Sequence, residues 1–137
     1  MTNMADFFTR EKANNGIKLP LVLPTGEPTE HWLIVRSSDS DEFKKAEALA
    51  NRKLLQLAKE PTQQELVDLS LENRLDMLSV LVSGWSFDNP CTPENVRNFL
   101  QSAPQIADAV DKTAGNRRFF YSLASSGFTD TPSQSAS

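Results

Sequence analysis

The sequence predicts a mainly α protein, a small domain of about four helices preceded by a short N-terminal β-hairpin. Beyond residue 38, apolar residues recur at steps of three and four, the spacing of one helix face. β-branched and aromatic residues concentrate earlier, between residues 17 and 36. The 137 residues, 39% of them hydrophobic, suffice for one domain with one modest core. We assign residues 16–124 to that domain and expect a mobile arm at 1–15 and a disordered polar tail at 125–137.

The hairpin is predicted at residues 17–36. Two runs of strand-forming residues, Ile17–Leu23 and Trp32–Arg36, flank the turn chemistry of Pro24-Thr25-Gly26. The arm that precedes it ends in Asn14-Asn15-Gly16, a turn signal. Because an isolated hairpin is barely stable in water, we expect it to lie on the helices or to pair with another chain.

The first helix is predicted at residues 39–59. Ser38 or Ser40 can cap it, and acidic residues occupy its first turn, where the helix dipole favours negative charge. Pro61 ends it, because the residue before a proline is disfavoured in the α conformation. The apolar stripe of this helix consists of Phe43, Ala46, Ala50, Leu54 and Leu57, widened by Leu49 and Leu55.

The second helix is predicted at residues 63–83. Thr62 and Glu65 have the spacing of a capping box, and Gly84 is placed as a helix stop. The main apolar stripe consists of Leu66, Leu69, Leu75, Leu78, Leu81 and Val82, and Leu71, Met77 and Val80 lie off it. The polar face is acidic, with Glu65, Asp68, Glu72 and Asp76 against Arg74. A helix that is apolar on more than one face is deeply buried or contacts a partner.

Two further helices are predicted at residues 93–101 and 104–123. Thr92-Pro93 starts the first, because threonine is a good N-cap and proline loses nothing at the first helical position. Ser102 is the predicted cap of the second helix. Gly115-Asn116 is a weak point at which this helix can be interrupted.

Composition argues against several classes of function. The net charge of -4 does not suit a nucleic-acid partner, since neutralising phosphates requires clustered lysine and arginine. No apolar run approaches the roughly 20 residues of a membrane span. The segment Met1–Arg10 lacks the pattern of a secretory signal, and one cysteine forms no internal disulfide. A reducing cytosol is therefore the simplest compartment.

The sequence offers little support for catalysis. His31 is the only histidine and has no second ligand at metal-binding spacing. Cys91 precedes a helix start, which can lower a thiol pKa, yet small buried thiols are common packing residues. Asp39-Ser40-Asp41 lacks the glycine and the distal glutamate of a calcium loop. We therefore expect no enzyme, no cofactor and no metal site.

Binding to another protein is the favoured kind of function. Trp85 and Phe87 lie in the predicted loop and are the aromatic residues most expected at the surface, although core packing is the default for aromatic side chains. The acidic residues of the second helix, and the apolar residues that lie off its main stripe, complete the predicted binding set. The predicted partner-binding residues are Trp85, Phe87, Leu71, Met77, Val80, Glu65, Asp68 and Glu72.

The order of these features resembles the tail assembly chaperones of siphovirus-type bacteriophages, over roughly Ile17 to Tyr121. The hairpin carries part of the resemblance, with Pro-Thr-Gly-Glu-Pro-Thr-Glu followed by Trp32–Arg36. The other motifs are the helix start Asp39-Ser40-Asp41-Glu42-Phe43, the pair Gly84-Trp85, the segment Pro90-Cys91-Thr92-Pro93-Glu94-Asn95-Val96, and Pro104-Gln105-Ile106-Ala107-Asp108.

The resemblance implies a mostly helical, non-enzymatic protein of the host cytoplasm. Such a chaperone binds the long, aggregation-prone tape measure protein and keeps it soluble during tail tube assembly, and it is absent from the mature virion. A longer form made by a translational frameshift would reach the tail tube protein, and weak self-association would help to coat the client. Two alternatives stay open: a structural or adaptor protein retained in the phage tail, and a small enzyme that uses Cys91 and His31.

Overall fold

The structure, a computed structural model, describes residues 2–57 and 60–121. This part of the chain is mainly α, as predicted. A 3-10 turn at Met4–Phe7 comes first. The elements that follow are α1 (Arg10–Asn15), β1 (Ile17–Val22), β2 (Pro28–Val35), α2 (Asp41–Leu55), α3 (Gln63–Leu81), β3 (Val82–Trp85), α4 (Pro93–Ser102), α5 (Pro104–Gly115) and α6 (Arg117–Tyr121).

The described residues contain six α-helices, where the sequence predicted about four. One addition is α1, which lies in the segment predicted to be a mobile arm and buries Ala13 completely. The other arises because the predicted helix 104–123 is two helices. Asn116 has an extended backbone (φ -100°, ψ 98°) and separates α5 from α6 at the predicted weak point. The rest of that helix and the tail 125–137 lie outside the described residues.

The hairpin gains a third strand that the sequence did not predict. The order is β1-β2-β3, all antiparallel, with Val35 of β2 opposite both Ile17 and Val82. The predicted helix 63–83 therefore ends at Leu81, and Gly84 is a strand residue opposite Ile34 rather than a helix stop. A third strand supplies the stability that a two-stranded hairpin lacks.

Helix starts follow local side-chain chemistry in three of four predicted cases. The hydroxyl of Ser40 accepts the Phe43 N–H, and Thr62 forms the predicted capping box. Thr92 caps α4 by accepting the Asn95 N–H at 3.1 Å, with Pro93 at the first position. Ser102 is not the cap of α5, because it is the last residue of α4 and α5 starts at Pro104 without a side-chain cap.

The core lies between the sheet and the helices α3, α4 and α5. Its least exposed large side chains are Leu33, Val35, Leu81, Val96, Leu100 and Val110. They come from strand β2 and from all three helices, so the core depends on contacts distant in sequence. By contrast, α2 buries only Ala50, although Phe43 packs against the core.

Residues 37–41 connect the start of α2 to three other helices, α1, α5 and α6, and we call this segment the α2 anchor. The N–H of Ser37 donates to the Ala13 carbonyl of α1, and the N–H of Ser38 donates to the Ala114 carbonyl of α5. Each of its two carboxylates accepts hydrogen bonds from one arginine and one neutral side chain. Arg117 and Tyr121 donate to Asp39, at 2.7 Å and 3.2 Å respectively, while Arg10 and Asn14 donate to Asp41, at 2.9 Å and 3.0 Å. The start of α2 is therefore held firmly.

Substituting Gly16 with alanine is expected to lower the free energy of unfolding by about 1–3 kcal/mol. Gly16 has a positive φ of 80°, and a Cβ atom there would lie 2.6 Å from the Val35 carbonyl oxygen. Urea denaturation measures the effect. Gly26→Ala is the matched control, because Gly26 also has a positive φ (92°) but a Cβ would meet no atom within 4 Å. Equal losses in the two variants would contradict the steric argument.

The α2 anchor predicts a loss of stability in acid. The hydrogen bond from Arg117 lowers the pKa of Asp39, and that from Arg10 lowers the pKa of Asp41. Because each folded-state pKa lies below the unfolded value, the native state binds fewer protons. The stabilisation is complete above the unfolded pKa of about 3.9 and is lost as the pH falls through the folded one.

Asp39→Asn should therefore flatten the dependence of the unfolding free energy on pH below about 4. Denaturation at a series of acidic pH values measures this slope. Asp88→Asn, which removes an exposed loop carboxylate, is the control and should leave the slope unchanged. An Asp39→Asn slope equal to that of the unmodified chain would refute the role of the anchor carboxylate.

Candidate functional site

The helix α3 is buried at one end and exposed at the other. Leu78 and Leu81 lie in the core, whereas Leu66, Val67 and Leu71 are exposed. Leu71, one of the predicted partner-binding residues, is 59% exposed. The first half of α3 therefore presents apolar side chains to solvent.

The three acidic residues of α3 in the predicted binding set are at the surface, whereas Asp76 is half-buried and pairs with Lys53 and Arg97. Glu65, Asp68 and Glu72 are all exposed, and none takes part in an ion pair among the described residues. Glu65 completes the capping box, and the hydrogen bond from the Thr62 backbone N–H lowers its pKa. Asp68 accepts a hydrogen bond from Gln64 at 2.8 Å. This side of α3 therefore carries negative charge beside exposed apolar residues.

The other two predicted residues of α3, Met77 and Val80, are half-buried beside α2. Val80 lines a groove of about 230 Å³ on one side of α2, together with Ala46, Leu49 and Lys53. Met77 lines a second groove of about 320 Å³ on the other side. The walls of the second groove also include Phe43, Ala50, Leu54, Asn73, Arg74 and Leu78. The two grooves flank α2 along its contact with α3.

Sequence reasoning did not include the leucines of α2 in the site. Leu49, Leu54 and Leu55 are all exposed, and Leu55 is 87% exposed. Leu49 and Leu55 lie off the main apolar stripe of the helix. This position was the sequence feature that could have indicated their exposure. With Leu66, Val67 and Leu71 of α3, they give the α2–α3 pair an apolar surface.

The chain also exposes apolar side chains at its N-terminus. Met4, Phe7 and Phe8 are between 67% and 76% exposed, next to a helix, α1, that is itself anchored. All three lie in the predicted arm, to which no role in binding was assigned. The structure places them away from the core, so their exposure makes them a second apolar surface.

Trp85 and Phe87 are half-buried and pack against the core rather than projecting from a loop. With Phe99 they form a cluster of edge-on rings whose centroids lie 5.2–5.9 Å apart. Trp85 also donates its indole N–H to the Asn89 carbonyl at 2.7 Å. Such contacts are typical of rings that stabilise a fold. Trp85 and Phe87 are therefore less accessible than Leu71 and the three acidic members of the predicted binding set.

The two residues considered for catalysis have structural partners. His31 Nδ1 lies 3.0 Å from the hydroxyl of Ser86, which also accepts the Trp32 N–H, and the imidazole packs on Phe87 at 4.5 Å. Cys91 packs against the core, and burial raises the pKa of its thiol. A thiol with a raised pKa is a poor nucleophile at neutral pH.

The described part of the chain contains neither a candidate metal site nor a helix that could span a membrane. Residues 2–57 and 60–121 contain no group of three histidine, cysteine, aspartate or glutamate side chains able to hold a metal ion. Arg117 and Arg10 donate hydrogen bonds to the carboxylates of Asp39 and Asp41. The negative charge of these two aspartates is therefore balanced by arginine, without calcium. Among the described helices, none is both long and apolar enough to span a bilayer.

A mainly α domain with exposed leucines beside exposed carboxylates is typical of a protein that binds other proteins. Comparison with known protein families shows which kind of protein-binding protein this is. The family model for the phage tail assembly chaperone matches residues 4–113, well over half of the chain. The chain therefore belongs to the phage tail assembly chaperone family, and its role lies in tail assembly. Comparison with curated proteins and with solved structures gives no significant match.

Proposed function

We propose that this chaperone binds the tape measure protein and keeps it soluble while the tail tube is assembled. Membership of the tail assembly chaperone family carries the proposal. The same membership implies a non-enzymatic role, in agreement with the packing of Cys91 and His31. On this proposal the protein acts in the host cytoplasm and is absent from the mature virion.

The exposed surface of α3 is the proposed contact with the client. Leu71 and Val67 supply apolar area, and Glu65, Asp68 and Glu72 supply negative charge beside it. A tape measure segment that fits this surface is an amphipathic helix with lysine or arginine next to its apolar stripe. Binding of this kind weakens as salt screens the charges.

Two further partners complete the proposal. Weak self-association would place successive copies along a long client, and the exposed residues Phe7 and Phe8 offer apolar area for it. A longer, frameshifted form would extend beyond α6 and reach the tail tube protein.

Co-expression with the tape measure protein of the same phage tests the proposed function. The tape measure protein should move from the insoluble to the soluble fraction and should co-purify with the chaperone. Unchanged solubility without a complex would overturn the proposal. Mass spectrometry of purified virions distinguishes the remaining alternative, because a structural or adaptor protein retained in the tail would be detected there.

Leu71→Glu is expected to weaken tape measure binding about tenfold or more, since burying a leucine contributes about 1.5–3 kcal/mol. The fold should be unaffected, because Leu71 is 59% exposed. Binding is measured by titrating a soluble tape measure fragment. Leu23→Glu is the matched control, because Leu23 is similarly exposed but lies in the hairpin turn. Equal affinities of the two variants would refute the assignment of this surface.

A further inference from the structure

The outer side of α2 carries positive charge and apolar side chains. Lys44, Ala48, Arg52 and Leu55 follow one another at steps of four, four and three residues, so they share one side of the helix. All four are exposed, and none of them lines the grooves between α2 and α3. Leu55 is 87% exposed. We call these four residues the basic face of α2.

The exposed surface of α3 that is proposed as the client contact has the opposite charge. We call it the acidic face of α3, and it consists of Val67, Leu71, Glu65, Asp68 and Glu72. Within residues 2–57 and 60–121, its three carboxylates take part in no ion pair, and neither do Lys44 and Arg52 of the basic face. The charges of the two faces are therefore available to a partner of opposite charge.

The basic face and the acidic face lie on opposite sides of the α2–α3 pair. Asn73 donates to the Ala50 carbonyl, so these two residues mark the sides on which the helices contact each other. Leu71 precedes Asn73 by two residues, which places it about 160° away around the helix. Ala48 has the same relation to Ala50. The two faces consequently do not meet within one molecule.

We propose that the basic face of α2 binds the acidic face of α3 in a second copy of this chain, and that the tape measure protein competes for that acidic face. The competition rests on the proposed function, which assigns the acidic face to the client. A partner for the acidic face is a helix with lysine or arginine beside apolar side chains. The second half of α2 is such a helix, because Arg52 lies between Ala48 and Leu55.

The contact between copies is head to tail. Each molecule uses its basic face toward one neighbour and its acidic face toward another, and a contact between two different surfaces is not limited to a dimer. The apolar area at Phe7 and Phe8 takes no part in it. In the absence of client, the contact covers Leu71 and Val67, so the client site is not exposed to unrelated proteins.

The contact is expected to be weak. The basic face offers one leucine and one alanine, whereas a specific, stable interface buries about 1,200–2,000 Å² of surface in total. We therefore expect a dissociation constant in the micromolar range or above. Because the faces are exposed and oppositely charged, salt should weaken the contact. A client that makes more extensive contacts can then displace the neighbouring copy.

Sedimentation velocity on the unmodified chain tests the contact without a client. The mean mass should rise beyond that of a dimer as the concentration passes through the micromolar range, and it should fall when salt is added. A monomer at every concentration would overturn the proposal. So would an assembly that is unaffected by salt or that stops at two copies.

Exchanging the charges of the two faces tests which residues pair. Arg52→Glu alone should abolish assembly, and so should Asp68→Arg combined with Glu72→Arg. Mixing these two variants should restore assembly, because the reversed α2 of one then meets the reversed α3 of the other. The matched control is Lys112→Glu, which reverses an exposed charge of α5 outside both faces and should leave assembly unchanged. A mixture that stays monomeric would overturn the pairing of these faces.

A soluble helical fragment of the tape measure protein tests the competition. Adding it should dissociate the assembled chaperone. Arg52→Glu should bind it about threefold or more tightly than the unmodified chain at a concentration at which the latter is assembled, since fewer acidic faces are occupied. Equal affinities would overturn the shared surface.

The two sets of measurements separate this inference from the proposed function. If the fragment does not bind but the mixed variants assemble, the proposed function fails and the contact between copies stands. If the fragment binds and the unmodified chain stays monomeric, the proposed function stands and the contact between copies is refuted.

Discussion

Trp85→Ala is expected to lower the free energy of unfolding by about 2–4 kcal/mol, even though Trp85 is only half-buried. Its ring contacts Phe87 and Phe99 edge-on, at 5.3 Å and 5.9 Å, and its indole N–H donates to the Asn89 carbonyl. Alanine loses both ring contacts and leaves that carbonyl without its donor. Urea denaturation followed by circular dichroism measures the loss.

The aromatic residue Phe8 provides the control for this prediction. Phe8 is 67% exposed, so Phe8→Ala should change stability by no more than about 0.5 kcal/mol. A small effect of Trp85→Ala on stability, combined with reduced client binding, would support the predicted role of Trp85 in partner binding. A large loss of stability identifies the ring cluster as part of the fold.

The surroundings of Trp85 were not predictable from the sequence. The sequence places Trp85 and Phe87 after a glycine, which is a common helix stop. In the structure the chain instead enters β3, and Gly84 pairs with Ile34 of β2. A strand of four residues carries too little periodicity to be distinguished from a loop. Its existence depends on β2, nearly fifty residues earlier in the chain, and this long-range pairing turns the two rings inward.

Helix starts were predictable because their chemistry is local. Thr62 with Glu65, and Thr92 with Pro93, satisfy backbone groups within three residues of themselves. The formation of α1 had no such signal. Arg10 and Asn14 are held by Asp41, which lies 31 and 27 residues away. The helix in the arm therefore depends on Asp41, a partner that lies outside the arm.

The residues of the candidate site also divide into those whose exposure was predictable from local chemistry and those whose surroundings depend on distant contacts. Exposure of Glu65, Asp68 and Glu72 follows from their charge, because burying an unpaired carboxylate is costly. Met77 and Val80 lie off the apolar stripe of α3, which suggested a free second face. The structure covers that face with α2, and the sequence of α3 alone does not reveal the cover.

Leu81→Ala is expected to lower the free energy of unfolding by about 3–5 kcal/mol, the largest effect of any single substitution proposed for this chain. Leu81 is 1% exposed and lies where α3 passes into β3, with its carbonyl accepting the Arg36 N–H of the segment that follows β2. Removing its side chain leaves a cavity between the sheet and the helices. Thermal or urea denaturation measures the change.

Leu55→Ala makes the same chemical change at a side chain that is 87% exposed, so it should alter stability by no more than about 0.5 kcal/mol. The comparison also separates folding from client binding. Leu81→Ala should reduce client binding only in proportion to the fraction of unfolded chain. Leu55→Ala should leave the fold intact, so any change in client affinity then reports on the α2–α3 surface itself. Equal destabilisation by the two substitutions would contradict the placement of the core.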